Sequence, residues 1–202
     1  MSTVQNVIDD IRIEIDDTDS TRFEDDTTLI LPLIKKALRR AENILVRRGM
    51  DFAKTSTTLT VSSGESTTAL PDLFKLDAGL YKNYEEIRKV SDDEFERTYS
   101  GDFWRINGSN VELLSSVTSD TAYTFYYYPY IDFSAYVVGT TMPWNGRLDD
   151  IIVDYVAMRL KNIDEYDTSM EKEMLAEMQT NILETYAPLT PVIQDMNGPS
   201  EI

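Results

Sequence analysis

Four groupings of side chains in this sequence have the types and spacing to do chemistry or to hold a partner. The first is Asp16-Asp17-Thr18-Asp19, with Glu24, Asp25 and Asp26 close behind. Closely spaced carboxylates are ligands for hard cations such as Ca2+, but a helix-loop-helix calcium loop also needs glycine at its sixth position and glutamate at its twelfth. Neither is present, so the cluster reads as an acidic loop, structural or facing a conduit. The second grouping is Asp150 and Asp154, four apart on one helix face, the spacing of a carboxylate pair for Mg2+ or for acid-base catalysis. Acids at a helix start are also favoured by the helix dipole, which accounts for Asp149 and Asp150 without a function. The third is Lys35, Lys36, Arg39, Arg40, Arg47 and Arg48, the one concentrated positive region in the sequence. The fourth is the aromatic stretch from Tyr123 to Tyr136. Its rings have the chemistry to stack on bases or sugars, but strand alternation favours burying one set in a sheet core and laying the other on an interface. Trp104, Tyr126 and Tyr128 are the expected interface residues of that β-rich segment.

The residue types that are missing narrow the chemistry further. The 202-residue chain has no cysteine and no histidine. That excludes Ser-His-Asp and Cys-His nucleophilic sites, imidazole acid-base work near neutral pH and sulfur-based zinc sites. Carboxylate, lysine, tyrosine or a carboxylate-bound Mg2+ or Ca2+ remain. There is no phosphate-binding glycine loop, Walker pattern or dinucleotide fingerprint. The chain is therefore expected to be non-enzymatic and to need no cofactor and no metal. Residues 1–10 have neither a basic nor an apolar leader segment, and no apolar run approaches the roughly 20 residues of a membrane span, so a soluble protein is expected.

The elements that must position these groups follow from hydrophobic period. Val4, Val7, Ile8, Ile11 and Ile15 predict a short amphipathic helix over Val4 to Asp16. A longer one over Thr27 to Arg48 places Ile30, Ile34, Ala37, Leu38, Ala41 and Leu45 on one face and the basic residues opposite, with Gly49 as its stop. Residues 55–144 turn to β-type alternation. Candidate strands are Thr57 to Val61, Glu65 to Ala69, Leu73 to Tyr81, Glu86 to Val90, Trp104 to Ile106, Asn110 to Leu114 and Ala122 to Tyr130. Ser63-Gly64 is expected to join the first pair, Asn107-Gly108-Ser109 to make a tight hairpin, and Ser91 to Tyr99 to form a capped helical turn. Helical period returns over Asn145 to Tyr166 and Thr168 to Tyr186, and Pro188 and Pro191 end it. The expected class is α+β: residues 1–54 and 145–187 form one helical domain, 55–144 an inserted antiparallel β module, and 188–202 an extended tail.

With 19 Lys and Arg against 36 Asp and Glu, the net charge of −17 disfavours nonspecific nucleic-acid binding, because the overall field repels phosphate. The same field suits the wall of a passage through which duplex DNA slides. Nine acids precede Thr27 and a basic helix follows directly. Asp16, Asp17 and Asp19 on one surface and Lys36, Arg39, Arg40 and Arg47 on the other are thus candidates for head-to-tail pairing between copies, the kind of contact that closes into rings; a solvated helix face and a DNA contact are the other readings of the basic residues.

Leu70-Pro71-Asp72-Leu73-Phe74-Lys75-Leu76, Arg105 to Leu113, Tyr123 to Pro129 and Leu148-Asp149-Asp150-Ile151-Ile152, in that order inside the helical frame, resemble the head-to-tail adaptor proteins of tailed bacteriophages, of the short-tailed type. The resemblance implies a ring, usually of twelve copies, at the head-tail junction of the virion. That ring binds below the portal protein, extends the channel through which genomic DNA passes without sequence-specific contact, and carries tail nozzle or tail-fibre proteins. Synthesis would be in the host cytoplasm. It also implies that the C-terminal segment reaches the portal, with Leu189, Val192, Ile193 and Met196 as anchors ordered on binding. Other readings stay open on the residues alone: an acidic DNA mimic that inhibits a nucleic-acid enzyme, a carboxylate-dependent hydrolase, and a head-completion or tail-terminator ring protein.

Overall fold

The computed structural model describes residues 1–18, 20, 23, 25–98, 100–162 and 168–186. Helix α1, Val4–Glu14, starts at a reciprocal cap. The Thr3 hydroxyl accepts from the Asn6 N–H at 3.4 Å, and the Asn6 side-chain oxygen accepts from the Thr3 N–H at 2.9 Å. Val4, Val7, Ile8 and Ile11 are fully buried, as their spacing predicts. The chain then enters α2, Leu31–Arg48, through one π-helical turn at Asp26–Ile30. A regular helix from Thr27 is interrupted because Pro32 has no N–H to donate to the carbonyl four residues back, and the Leu31 N–H reaches Asp26 instead. Gly49 ends α2 at φ 69°, a left-handed position that costs glycine little.

Seven strands follow: β1 Thr55–Val61, β2 Thr67–Ala69, β3 Phe74–Lys82, β4 Glu85–Lys89, β5 Phe103–Asn107, β6 Asn110–Leu113 and β7 Thr121–Pro129. Helix α3, Asp92–Arg97, sits between β4 and β5, with the Ser91 hydroxyl capping Glu94 N–H. All seven expected strands and this helical turn are present. The sheet order is β1-β7-β3-β4-β5-β6-β2, antiparallel except for a short parallel pairing of β4 with β5. β1 and β2 are therefore not a hairpin pair; they are the two ends of the sheet. The connections fold those ends toward each other, with Gly64 N–H on Val117 O at 2.8 Å and Leu113 N–H on Ser66 O at 2.7 Å. The sheet curls around an inner face of Leu59, Val61, Leu80, Ile87, Trp104, Val111, Leu113, Tyr123 and Phe125. The β5–β6 hairpin turns at Gly108-Ser109 as expected. A second two-residue hairpin, at Asn83-Tyr84 between β3 and β4, has both φ values positive, at 51° and 70°.

Helices α4, Asp149–Lys161, and α5, Thr168–Tyr186, complete the fold. The expected start of α4 at Asn145 is corrected to Asp149. Trp144, Asn145 and Gly146 stand at φ 53°, 59° and 75°, a left-handed run no α-helix contains. α1, α2, α4 and α5 share one core, and Met174, Met178 and Ile182 of α5 are buried in it. Residues after β7 join the same core: Tyr128, Phe133 and Met142 pack into it, and Thr140 and Val138 accept from the first N–H groups of α1. Among the described residues no helix is long and apolar enough to cross a membrane.

Candidate functional site

The acidic loop after α1 is organised around a buried arginine. Arg12 is 6% exposed and donates through Nη1 to Asp17 Oδ2 at 2.9 Å, through Nη2 to the Phe23 carbonyl at 2.8 Å and through Nε to Asp26 Oδ1 at 2.9 Å. Asp17 Oδ2 also accepts from the Phe23 N–H at 3.0 Å. Asp17 is thus a 2%-exposed internal counter-ion that locks the loop, which corrects its assignment to pairing between copies. Asp25 accepts from Thr27 and Thr28, and those hydrogen bonds hold its pKa at about 2. Asp16 is exposed. Asp19 lies outside the described residues. Among the described residues no group of three or more metal-ligating side chains is placed to hold a cation.

On α2, Lys36, Arg39 and Arg47 are exposed in one row, as their spacing requires. Arg40 is turned toward α4, with its guanidinium 5.5 Å from the Tyr155 ring centre. Lys35 donates to the Ser134 carbonyl at 2.9 Å. Beside this row a cleft of about 270 Å³ opens between α2 and α5, lined by Asn43, Ile44, Arg47, Arg48 and Gln179. Among the described residues no carboxylate lines it.

The opposite charge gathers where α1, α4 and α5 meet. Asp150 and Asp154 are exposed one helical turn apart on α4, and Glu14 and Glu177 join them electrostatically. Partial desolvation raises the Asp154 pKa, and Glu14, Asp150 and Glu177 raise it further against the opposing charge of Lys161. Burial likewise raises Asp149. Lys161 donates to Glu14 at 2.9 Å. The sequence reading found Asp150 and Asp154 but missed Glu14 and Glu177, which come together only through helix packing.

The outer face of the sheet carries the remaining surface feature. Tyr126 is 38% exposed and meets Tyr81 edge to face at 5.3 Å. Gly79 makes this pair possible: a Cβ there would lie 2.9 Å from the Tyr81 ring. Together with Lys54, Asp51 and the fully exposed Tyr84, the two rings border an open concavity of about 760 Å³. Trp104 and Tyr128 are not on this surface. Trp104 is 1% exposed in the sheet interior, where its indole N–H donates to the Ile87 carbonyl at 2.9 Å. Tyr128 has the same strand parity as Tyr126, but there the sheet is covered by the helical core, and it is 3% exposed. Their assignment to an interface is therefore corrected to interior packing. Leu189, Val192, Ile193 and Met196 lie outside the described residues.

These surfaces offer charged and aromatic contact areas. No curated protein matches the chain. Residues 2–192 match the family model described as SU10 adaptor protein, which spans both the helical core and the curled sheet. The chain therefore belongs to the SU10 adaptor protein family, structural adaptors of phage particles.

Proposed function

We propose that the protein forms a ring, of twelve copies, that docks below the portal, prolongs the DNA channel and presents a platform for tail nozzle or tail-fibre proteins. The family match over residues 2–192 is the observation that carries this reading. The charge distribution supports it. A chain of net charge −17 with an exposed row of cations on α2 has unlike surfaces available to neighbouring copies, while its overall acidic field disfavours adhesion of duplex phosphate. Lys36, Arg39 and Arg47 are the basic members of that contact and Asp16 a candidate acidic one. Tyr126, with Tyr81 and Tyr84, gives the sheet an aromatic surface suited to a tail protein. The segment after Ala187 supplies Leu189, Val192, Ile193 and Met196 as anchors on the portal. Genomic DNA passes through without sequence-specific contact.

Sedimentation of the protein with purified portal from the same phage, for the full chain and for a chain ending at Ala187, tests the reading. Co-sedimentation of the full chain at a fixed copy number, lost on truncation, is expected. Absence of the full chain from the portal fraction would overturn the proposal. Self-repulsion predicts a free protein that is monomeric at low concentration and assembles on the portal.

A further inference from the structure

We propose that the cleft between α2 and α5 receives acidic side chains of a second copy of this chain, presented by the seam of Glu14, Asp150 and Asp154. The proposal rests on the ring reading and specifies which faces meet.

The cleft has the chemistry of a carboxylate receptor. Arg47 and Arg48 bring guanidinium forks that donate and never accept, and Asn43 and Gln179 bring side-chain amides. The Arg39 and Lys36 row continues the positive surface along α2. A second copy meets the same overall repulsion as a duplex would, at −17 each, but it brings carboxylates already arrayed on rigid helices. Asp150 and Asp154 stand at i, i+4 spacing, about 5–6 Å between Cβ atoms, close enough for both to meet the adjacent guanidinium groups of Arg47 and Arg48. Like charges crowd that seam: Glu14, Asp150 and Glu177 all bear on Asp154, with Lys161 opposing them. Cations from a neighbour would relieve this crowding.

The two faces are also not the same face. Asp154 is about 100° around α4 from Tyr155, the ring on which Arg40 of α2 packs. A contact between different faces is heterologous, so each copy offers a cleft to one neighbour and a seam to the other, as a closed ring requires.

The absence of cysteine gives a clean test. One full-length variant carries Asn43→Cys in the cleft; another carries Ile13→Cys, an exposed position next to Glu14. The two are mixed at low salt and at high protein concentration, where contact between free copies is expected, with a short bismaleimide. Cross-linking between unlike variants is expected to exceed that within either by about tenfold and to fall with added salt. Arg47→Glu with Arg48→Glu on the first variant, or Asp150→Lys with Asp154→Lys on the second, should each remove the excess. Mixing the two reversed chains should restore it, which a merely unfolded variant cannot do. Cross-linking no faster between unlike variants than within each overturns the proposal, as does faster reaction of Asn43→Cys with Asp16→Cys. A ring on the portal without the Asn43 to Ile13 cross-link leaves the ring reading standing and removes this contact. The cross-link without a ring on the portal does the reverse.

Discussion

Replacing Arg12 tests the claim that the acidic loop is held together from inside. Arg12→Met keeps the apolar stem and helix propensity while deleting the guanidinium, and it removes the donors to Asp17, the Phe23 carbonyl and Asp26 at 2.8 to 2.9 Å. Asp17, at 2% exposure, then loses the guanidinium of Arg12. Breaking a buried ion pair from one side typically costs about 3–5 kcal/mol, because an uncompensated charge stays behind. For a chain of this size 1 kcal/mol shifts the melting temperature by about 2–4 °C, so a fall of roughly 6–20 °C is expected at neutral pH. Adding Asp17→Asn removes the stranded charge but leaves a side-chain oxygen to accept from the Phe23 N–H, which donates to Asp17 Oδ2 at 3.0 Å in the native chain. The double variant should recover at least half of the loss. Circular dichroism melts and urea titrations of wild type, single and double variants give the cycle. A single-variant loss below about 1 kcal/mol, the level of an exposed pair, would refute the reasoning, as would a double variant less stable than the single one.

Trp104→Ala should cost about 3–5 kcal/mol in urea unfolding, since it empties the sheet interior and orphans the Ile87 carbonyl; a loss under 1 kcal/mol would contradict its interior role. Lys75→Met should cost about 1–3 kcal/mol because Glu42, 6% exposed on α2, then loses its partner at 2.8 Å on β3, and unchanged stability would show that this link between helix and sheet contributes nothing. Asp154 titrates above its ordinary value, so its native form binds its proton more tightly than the unfolded chain does; the resulting penalty is absent below about pH 4 and grows as pH rises through the folded pKa. Asp154→Asn should therefore raise the melting temperature at pH 7 and leave it unchanged at pH 3.5, and a lowered value at pH 7 would reverse the sign of the argument. Asp25 is the opposite case: its pKa of about 2 lies below the unfolded value near 3.8, so its contribution is present above that value and fades as pH falls through about 2. Asp25→Asn should flatten that acid limb in pH-dependent melts, and an unaltered limb would remove its capping role.

Much of the fold was legible because it is written in local periods. The 3.6-residue pattern from Val4 to Ile11 and from Ile30 to Leu45, and the strand alternation of Tyr123 and Phe125, are set by burial of one face and survive whatever packs on it. What failed needed information from distant residues. The sheet order is a matter of non-local pairing: Ser63-Gly64 marks the turn between β1 and β2, but no local signal says that the two strands lie at opposite ends of the sheet. Tyr128 shares its strand face with Tyr126, and only the helical core lying over one end of that face separates their fates. Asp17 looked like its neighbour Asp16. A cue existed in Arg12, a cation five residues upstream among acids, but that it folds under the loop is a tertiary fact. The acid seam was half visible, since Asp150 and Asp154 share one helix whereas Glu14 and Glu177 arrive on two others.

Cryo-electron microscopy of the head-tail junction, or of portal incubated with this protein, tests the ring reading most directly. A closed ring below the portal is expected, in which every copy fits the four packed helices and the curled seven-stranded sheet, with α2 of each copy facing α1 and α4 of the next. A portal with nothing beneath it, or a ring whose copies meet through identical faces, would contradict it.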